Sequence, residues 1–273
     1  MGVIFDLQWS GRFGNNLMQL SFAIYLSQKT NSVLNYPSHP IIKNKIFDFS
    51  NKNCTEHYKS NFWINSITDL EPFKKKFGNI DFEEYQMAKP KILKEYIMSL
   101  IPYSEIDIDY DLVFHIRGGD VFKHPTHPLY VQSPLCFYEK IIELENPESV
   151  LLVCEDLSNP LIPYISDMCR NCTVRTGNII DDMNILMNCK TLAIGGETTF
   201  SRTLAQLSKK IKKVYVPCYE GGYDYIKSTF KLIGSELIFI EHNNYINVTN
   251  WKFNEEQKEL MFNLEAENLT IKK

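Results

Sequence analysis

One short stretch of the chain brings together residue types that bind anions and move protons. The apolar run Leu112–Phe114 leads into His115 and Arg117, then into the pair Gly118-Gly119 and finally Asp120. His115 and Arg117 are two residues apart, so in a strand their side chains point to the same face. An arginine fork donates to two oxygens of one phosphate or carboxylate. The stretch therefore predicts an anion site, with an ordinary strand end and a surface arginine as the alternative.

The chain around this stretch alternates between strand and helix patterns from residue 111 to residue 217. The predicted strands after the central one are 149–154, 174–176, 191–196 and 214–217, and the predicted helices are 137–144, 181–189 and 197–211. This alternation is typical of an α/β fold with a parallel sheet and right-handed crossovers. Such sheets bind ligands at the carboxyl ends of their strands.

Two other predicted strand ends carry candidate binding residues. Glu155 and Asp156 follow the strand 149–154, where they either bind a ligand or cap the next helix, and the cap is the better interpretation of these two residues alone. Glu197 and the run Thr198–Ser201 follow a pair of glycines and open a helix. Hydroxyl groups and free amides at a helix start predict an anion cradle.

The N-terminal part begins with a second strand–loop–helix pattern. A strand is predicted over 2–7, a loop with Gly11 and Gly14 follows, and helical spacing of apolar residues runs from Asn16 to Lys29. This order is typical of a Rossmann-like half. The spacing differs from GxGxxG and the loop lacks a Walker lysine, which argues against dinucleotide and P-loop sites.

Length and charge bound the organisation and the partners. The 273 residues suffice for two domains, and we expect a boundary in the acidic segment 105–111. The predicted domains are 1–110 and 111–250, with a terminal helix in 251–273 packing back on the body. Residues 37–65 could not be assigned to elements, and 69–88 are predicted to be helical in part. The net charge of −4 and a longest basic stretch of five residues, 209–213, argue against nucleic-acid binding.

Cysteine use and hydropathy indicate a cytoplasmic protein. The seven cysteines are an odd number scattered through the chain, which favours reduced thiols. Cys169 and Cys172 form a CxxC, but a zinc site needs a second ligand pair, so two loop cysteines are the preferred interpretation. No apolar run reaches the roughly 18–20 residues that span a bilayer, and no signal peptide is recognisable.

Segments at four places along the chain, in order, resemble motifs of the inverting fucosyltransferase superfamily. Gly11-Arg12-Phe13-Gly14-Asn15 resembles its Gly-x-x-Gly-Asn loop, closest to the protein O-fucosyltransferase form, and 115–120 resembles its His-x-Arg-Arg-Gly-Asp motif. Glu155-Asp156 is similar to the Ser-Asp-Asp segment of the α-1,2 group. The run 182–190 and the turn Thr198-Thr199-Phe200-Ser201 resemble that group's Asp-x-x-x-Met-x-x-Cys-Lys and Ser-Ser-Phe-Ser motifs. Residues 37–110 and about the last thirty match no motif of this superfamily.

The resemblance implies a fold, a reaction and a set of roles. It implies two facing Rossmann-like domains of GT-B type, residues 1–110 on the acceptor side and 111–250 binding the nucleotide sugar. The expected reaction transfers L-fucose from GDP-fucose to a glycan acceptor with inversion and without a metal or other cofactor. The resemblance implies that Arg117 binds the donor pyrophosphate and that Thr198–Ser201 bind its phosphates. His115 and Asp182 would contact the nucleoside, and Gly14 and Asn15 would lie at the reacting sugar.

Two departures from the motifs keep the donor sugar open. Gly118 replaces the second arginine, and Arg202-Thr203 replace the paired tryptophans of the α-1,2 group, so that Arg202 is a candidate for the missing charge. The alternatives are another GDP-sugar, another nucleotide sugar, or an inactive carbohydrate- or nucleotide-binding protein. A phosphate-ester hydrolase is disfavoured because paired metal-binding carboxylates are not evident.

The general base and the cellular setting are the remaining expectations. Asp120, Glu197 and Asp6 are the candidate bases, with Asp120 grouped with Arg117 and Asn15 as the catalytic set. The absence of a recognisable membrane anchor suggests a bacterial or viral type of enzyme that works on cytosolic intermediates.

Overall fold

The computed structural model describes residues 3–51, 53–62, 75, 77–78, 80–220 and 222–273. The chain divides into two compact units, residues 1–103 and 104–273. The sequence places the division after residue 110, at the far end of the same acidic linker. The donor-side and acceptor-side roles of the two parts stay predictions.

The N-terminal unit is built on a small sheet of mostly parallel strands. Its elements are β1 (Ile4–Leu7), α1 (Phe13–Thr30), β2 (Val33–Asn35), β3 (Phe47–Asp48), β4 (His57–Ser60) and α2 (Phe82–Ile92). The strand order is β3-β2-β1-β4, with β1 parallel to β2 and β4, and β3 antiparallel to β2. The strands β3 and β4 lie in the stretch that the sequence left unassigned, because both are short and polar.

The helices of this unit start and stop at recognisable signals. Helix α1 begins three residues before the predicted Asn16, because Arg12 is extended and its carbonyl already accepts from the Asn16 amide at 3.0 Å. It ends at Asn31, which adopts the left-handed conformation common after helices. Helix α2 is capped by the Asp81 carboxylate and continues as helical turns to Leu100. The earlier part of the predicted helical stretch, 69–74, lies outside the described residues.

The C-terminal unit is an α/β domain with a mostly parallel sheet, which confirms the α/β part of the predicted fold class. Its elements are β5 (Leu112–Ile116), α3 (Leu135–Glu145), β6 (Val150–Cys154), α4 (Ile162–Met168), β7 (Cys172–Thr176), α5 (Ile179–Asn188), β8 (Thr191–Ile194), α6 (Thr199–Leu207), β9 (Lys213–Tyr219), α7 (Tyr223–Thr229), β10 (Glu236–His242), α8 (Glu255–Asn263) and β11 (Leu269–Lys272). The strand order is β11-β10-β9-β8-β5-β6-β7. Strands β5 to β10 run parallel, and β11 is antiparallel to β10.

The order of strands creates a switch point between β5 and β8. The chain passes from β5 to β6 and β7 on one side, then returns so that β8 lies on the other side of β5. The connections leaving β5 and β8 therefore go to opposite sides, which opens a crevice at their carboxyl ends. Every residue of β5 is buried, including His115. This is the pattern of a strand covered on both faces.

The C-terminal segment contains more than the predicted helix. The predicted terminal helix is α8, and its Met261 is fully buried in the core of the unit. Strand β11 follows and pairs with β10, with Ile271 opposite Ile240. The sequence did not predict this strand, because it is four residues long and its middle residues are exposed. Among the described residues, no helix has the length and apolar character required to cross a membrane.

Candidate anion-binding site at the sheet switch point

Most predicted site residues lie at the carboxyl edge of the larger sheet. Arg117 directly follows β5, Glu155 and Asp156 follow β6, and Thr198 follows β8. Asp182 lies in the first turn of α5. Gly14 and Asn15 belong to the first turn of α1 in the N-terminal unit. The structure therefore brings the predicted residues after β8, β5 and β6, three neighbouring strands, to one edge of the sheet, whereas Asp182 opens the helix after β7.

Arg117 spans the switch point and is held by three groups. Its Nη1 donates to the Glu197 carbonyl oxygen at 2.8 Å, so the side chain reaches from β5 to the loop after β8. Its Nη2 lies 3.4 Å from Asp120 Oδ1, and its Cζ lies 4.0 Å from the centre of the Tyr130 ring. The side chain is 15% exposed. This is a partly desolvated, oriented guanidinium of the kind that binds anions well.

Glu197 and Arg202 form a two-point ion pair beside this arginine. Arg202 Nη2 donates to Glu197 Oε1 at 3.0 Å, and Nη1 lies 2.9 Å from Oε2. Both carboxylate oxygens are thus engaged, and the charges of the two residues offset each other. Arg202 was expected to supply the missing charge of the motif and Glu197 was a candidate base, but their pairing makes each a poor candidate for its role.

His115 is a buried, neutral neighbour of Arg117. Burial lowers its pKa, and the charge of Arg117 lowers it further, to about 3. Its ring packs against Phe200, with 5.6 Å between the ring centres, and its Nδ1 has no hydrogen-bond partner in the described part of the chain. The imidazole can therefore exchange hydrogen bonds with a ligand without adding a charge.

The carboxylate of Asp156 anchors the glycine turn after β5. Its Oδ1 accepts from the Gly119 amide at 3.0 Å, from the Ser158 amide at 2.9 Å and from the Ser158 hydroxyl. Burial opposes ionisation of Asp156, but these hydrogen bonds keep its pKa below the ordinary value. Helix α4 begins at Ile162 without a side-chain cap, so the helix-cap interpretation is wrong.

This anchor explains why residue 118 is glycine. A Cβ at Gly118 would lie 2.3 Å from Asp156 Oδ1, a distance that no real contact reaches. Gly119 has a φ of +66°, which favours glycine, and its Cβ would lie 3.0 Å from Glu155 Oε1. At the position of the motif's second arginine, the Asp156 carboxylate instead lies against the backbone of Gly118.

The turn after β8 is fixed from two sides. The Gly195 amide donates to the His115 carbonyl at 2.9 Å, and the buried Tyr138 hydroxyl donates to the Gly195 carbonyl at 2.9 Å. Thr198 caps α6 by accepting from the Phe200 amide at 3.2 Å. Ser201 is fully buried, and its hydroxyl has no hydrogen-bond partner in the described ranges. The predicted cradle is therefore a rigid helix start.

Asp182 lies beside Arg175 as a second polar group. Its Oδ1 is buried, makes no hydrogen bond within the described residues and lies 3.8 Å from Arg175 Nε. Arg175 instead donates to Asp181 at 2.8 Å. Burial raises the pKa of Asp182 to about 6, with Arg175 opposing the change. Sequence reasoning assigned no role to Arg175, although an arginine on the strand before an Asp-Asp pair was a usable signal.

The candidate residues of the N-terminal unit have their own partners. Asp6 Oδ2 lies 2.6 Å from His57 Nδ1, and Asp6 Oδ1 accepts from Asn35 Nδ2 at 3.3 Å. Asp6 is thus paired with the imidazole of His57 on the neighbouring strand β4. Gly11 is left-handed, with φ of +77°, and packs against the half-buried Asn15. A Cβ added to Gly11 would lie 2.4 Å from Asn15 Nδ2.

The described residues include no group of three or more His, Cys, Asp and Glu side chains placed to hold a metal ion. The cysteines are all free thiols. Cys169 follows α4 as its cap residue, and Cys172 begins β7.

Comparison with known proteins finds likeness only at the level of solved structures. No family model and no curated protein matches the chain. The chain is similar to POFUT1 in complex with GDP at 10% identity and a TM-score of 0.41, covering 78% of this chain and 97% of that one. For POFUT1 in complex with GDP-fucose the identity is 10%, the TM-score 0.43 and the coverage 78% and 97%. A further crystal form of the GDP complex gives 10%, 0.39, 76% and 95%. Likeness at this level leaves the family of the chain open.

The contact between Gly118 and Asp156 predicts strong coupling between two substitutions. Gly118→Ala must displace the Asp156 carboxylate from its hydrogen bonds, so we expect the free energy of unfolding to fall by about 1–3 kcal/mol. Asp156→Ala removes the obstacle. The double variant should therefore be about as stable as Asp156→Ala alone. Denaturant unfolding of the four proteins measures this, and strictly additive losses would show that the close approach does not constrain residue 118.

Proposed function

We propose that this chain is a glycosyltransferase that transfers L-fucose from GDP-fucose to a glycan acceptor, with inversion and without a metal ion, on a GT-B type fold. The observation that carries the proposal is Arg117, oriented and partly desolvated at the switch point between β5 and β8. The motifs around it, which resemble those of fucosyltransferases, support the same reaction.

Arg117 acts on the leaving group. When the bond between the sugar C1 and the diphosphate oxygen breaks, negative charge develops on the β-phosphate. A guanidinium that is already oriented by Glu197 and Tyr130 stabilises this charge without reorganising. Its interaction is stronger with the departing diphosphate than with the bound donor, so it lowers the barrier of the chemical step.

The surroundings of Arg117 add hydrogen bonds rather than charge. His115 stays neutral beside it, and the start of α6 contributes the positive end of a nine-residue helix. Thr198 and Thr199 are proposed to contact the phosphates, and Phe200 to cover the nucleoside side of His115. The assignment of Gly14 and Asn15 to the donor sugar rests on the motif resemblance alone.

Asp120 is the most exposed of the three candidate bases. Inversion requires the acceptor hydroxyl to attack opposite the leaving group and to lose a proton. Glu197 is paired with Arg202 at two points, and Asp6 is engaged by His57 and Asn35. The Asp120 side chain is 40% exposed, and its contact with Arg117 is long, at 3.4 Å. We therefore propose that Asp120 accepts the proton.

Asp182 is proposed to select the base. A carboxylate can accept from both N1–H and the exocyclic amine of guanine, whereas the other nucleobases offer no such pair of adjacent donors on one edge. The buried Oδ1 of Asp182, which makes no hydrogen bond within the described residues, provides an acceptor for such a contact. The sugar is less constrained, because Gly118 and the Glu197–Arg202 pair leave Arg117, whose ion pair with Asp120 is long at 3.4 Å, as the main cation of the motif. Another GDP-sugar is therefore the second candidate donor.

A donor panel tests the proposed reaction. Purified protein is mixed with GDP, UDP, CDP or dTDP and with the matching sugar nucleotides, with and without EDTA. We expect GDP and GDP-fucose to raise the melting temperature by mass action, and donor turnover to persist in EDTA. Complete loss of turnover in EDTA with recovery on Mn²⁺ would contradict metal independence. Binding without any donor hydrolysis or transfer would indicate a binding protein.

The raised pKa of Asp182 predicts a pH-dependent affinity for the donor. The ionised carboxylate accepts both guanine donors, so GDP-fucose affinity should fall as the pH drops through about 6. Asp182→Asn should bind weakly at all pH values and lose the dependence, since it cannot ionise. Calorimetric titration between pH 5 and 8 measures both proteins. A wild-type affinity that is flat across this range would reject the guanine contact.

A further inference from the structure

The Tyr130 ring is the least expected contact of Arg117. It lies in a loop with two prolines, 13 positions along the chain from Arg117 (130 − 117), yet its ring centre is 4.0 Å from the guanidinium carbon. At this distance the guanidinium and the ring are in direct cation–π contact. The contact belongs to the C-terminal unit alone and involves a residue that the motif resemblance does not include.

Each contact of Arg117 restrains the guanidinium in a different way. The 2.8 Å hydrogen bond from Nη1 to the Glu197 carbonyl fixes one corner but leaves rotation about that corner. The distances from Nη2 to the two Asp120 oxygens, 3.4 and 3.5 Å, are too long to stop this rotation. The Tyr130 ring limits this rotation, because its centre lies 4.0 Å from Cζ, and tilting the guanidinium would drive its nitrogens into the ring or break the contact. The ring therefore determines the plane of the fork.

The Tyr130 ring is itself held in place. The His127 ring packs on it with 4.6 Å between the centres and 30° between the planes. The Tyr130 amide donates to the His127 carbonyl at 3.0 Å, and the Tyr130 carbonyl accepts from Gln132 Nε2 at 2.8 Å. Both the ring and the backbone of Tyr130 thus have defined positions.

The loop that carries Tyr130 is anchored by Trp251, which is 1% exposed. The Trp251 indole donates to the Val121 carbonyl at 2.8 Å, and its amide donates to the Pro128 carbonyl at 3.0 Å. The Thr126 hydroxyl donates to the Trp251 carbonyl at 3.3 Å. Trp251 donates two hydrogen bonds and accepts one, and together they hold the loop along its length, so the loop is a fixed support.

We propose that Tyr130 is a positioning residue that sets the plane of the Arg117 guanidinium, so that its fork meets the diphosphate of the donor. This inference rests on the proposed function, because it names the group that prepares the phosphate site for the reaction. The aromatic face carries the effect and the hydroxyl does not contribute. Tyr130 acts through Arg117 and needs no contact with the donor.

Kinetics of Tyr130→Phe and Tyr130→Leu test the consequence for catalysis, with Tyr225→Leu, a 62% exposed tyrosine of the same unit, as the matched control. Tyr130→Leu should lower kcat by about 3- to 30-fold, the range of a cation–π contact, with a smaller change in the KM for the donor. Tyr130→Phe and the control should retain wild-type kcat. If Tyr130→Leu does not fold, Tyr130→Gln takes its place.

A second arm asks whether Tyr130 acts through Arg117. In an Arg117→Ala background, Tyr130→Leu should have no further effect on kcat, because the group that it positions is gone. A full additional loss in that background would overturn the proposal. Equal losses in Tyr130→Phe and Tyr130→Leu would overturn it as well, since they would assign the effect to the hydroxyl.

A third arm does not depend on activity. The protein is labelled with ¹⁵N-arginine, and the Arg117 side-chain resonance is identified by its absence in Arg117→Lys. This resonance should show a ring-current shift in wild type and in Tyr130→Phe, and it should lose the shift in Tyr130→Leu. An unchanged resonance in Tyr130→Leu would overturn the positioning role. If no nucleotide sugar is turned over by wild type while the shift behaves as expected, the proposed function fails and the positioning of Arg117 stands.

Discussion

The hydrogen bond from Arg117 to the Glu197 carbonyl is the interaction on which the rest of the candidate site depends. It ties the end of β5 to the loop after β8, the two neighbouring strands whose connections leave in opposite directions. A guanidinium in a crevice loses much of its hydration, and this costs free energy unless polar and aromatic partners replace the water. The partners at Glu197, Asp120 and Tyr130 replace it and also orient the group.

The surrounding loops are shaped to keep those partners in place. The Asp156 carboxylate binds the Gly119 amide and occupies the space next to Gly118, so a side chain at residue 118 would have to displace it. On the other side, Tyr138 donates to the Gly195 carbonyl and lies where a Cβ of Gly195 would be. Gly118 and Gly195 therefore make room for polar side chains behind the site, rather than for a ligand.

The sequence predicted the parts of the site that follow from local periodicity. Alternating strands and helices implied a parallel sheet, and the two-residue spacing of His115 and Arg117 placed them together at a strand end. The contacts of Asp156 and Tyr130 were not predictable in this way, because each joins segments that are distant along the chain and irregular in sequence. The Asp156 side chain was expected to cap a helix; its actual partner, the Gly119 amide, comes from a different connection.

The pairing of Arg202 with Glu197 shows the same limit. The motif resemblance suggested two independent charged groups, one for the phosphates and one for proton transfer. The five-residue spacing across a helix start instead lets both ends of the carboxylate meet the guanidinium. Charge counting along a sequence therefore overestimates the free charge of a site, and Arg117 is left with most of the electrostatic role in the proposed reaction.

Steady-state turnover of Arg117→Ala and Arg117→Lys with the preferred donor tests this central role most directly. Arg170→Ala, an exposed arginine of the same unit, is the control, and circular dichroism checks folding. Loss of the electrostatic donor should reduce kcat by about 100- to 1,000-fold, more than it weakens donor affinity. Arg117→Lys should recover only part of the loss, because an ammonium group cannot reproduce the planar fork. A folded Arg117→Ala protein with near-normal turnover would contradict the account.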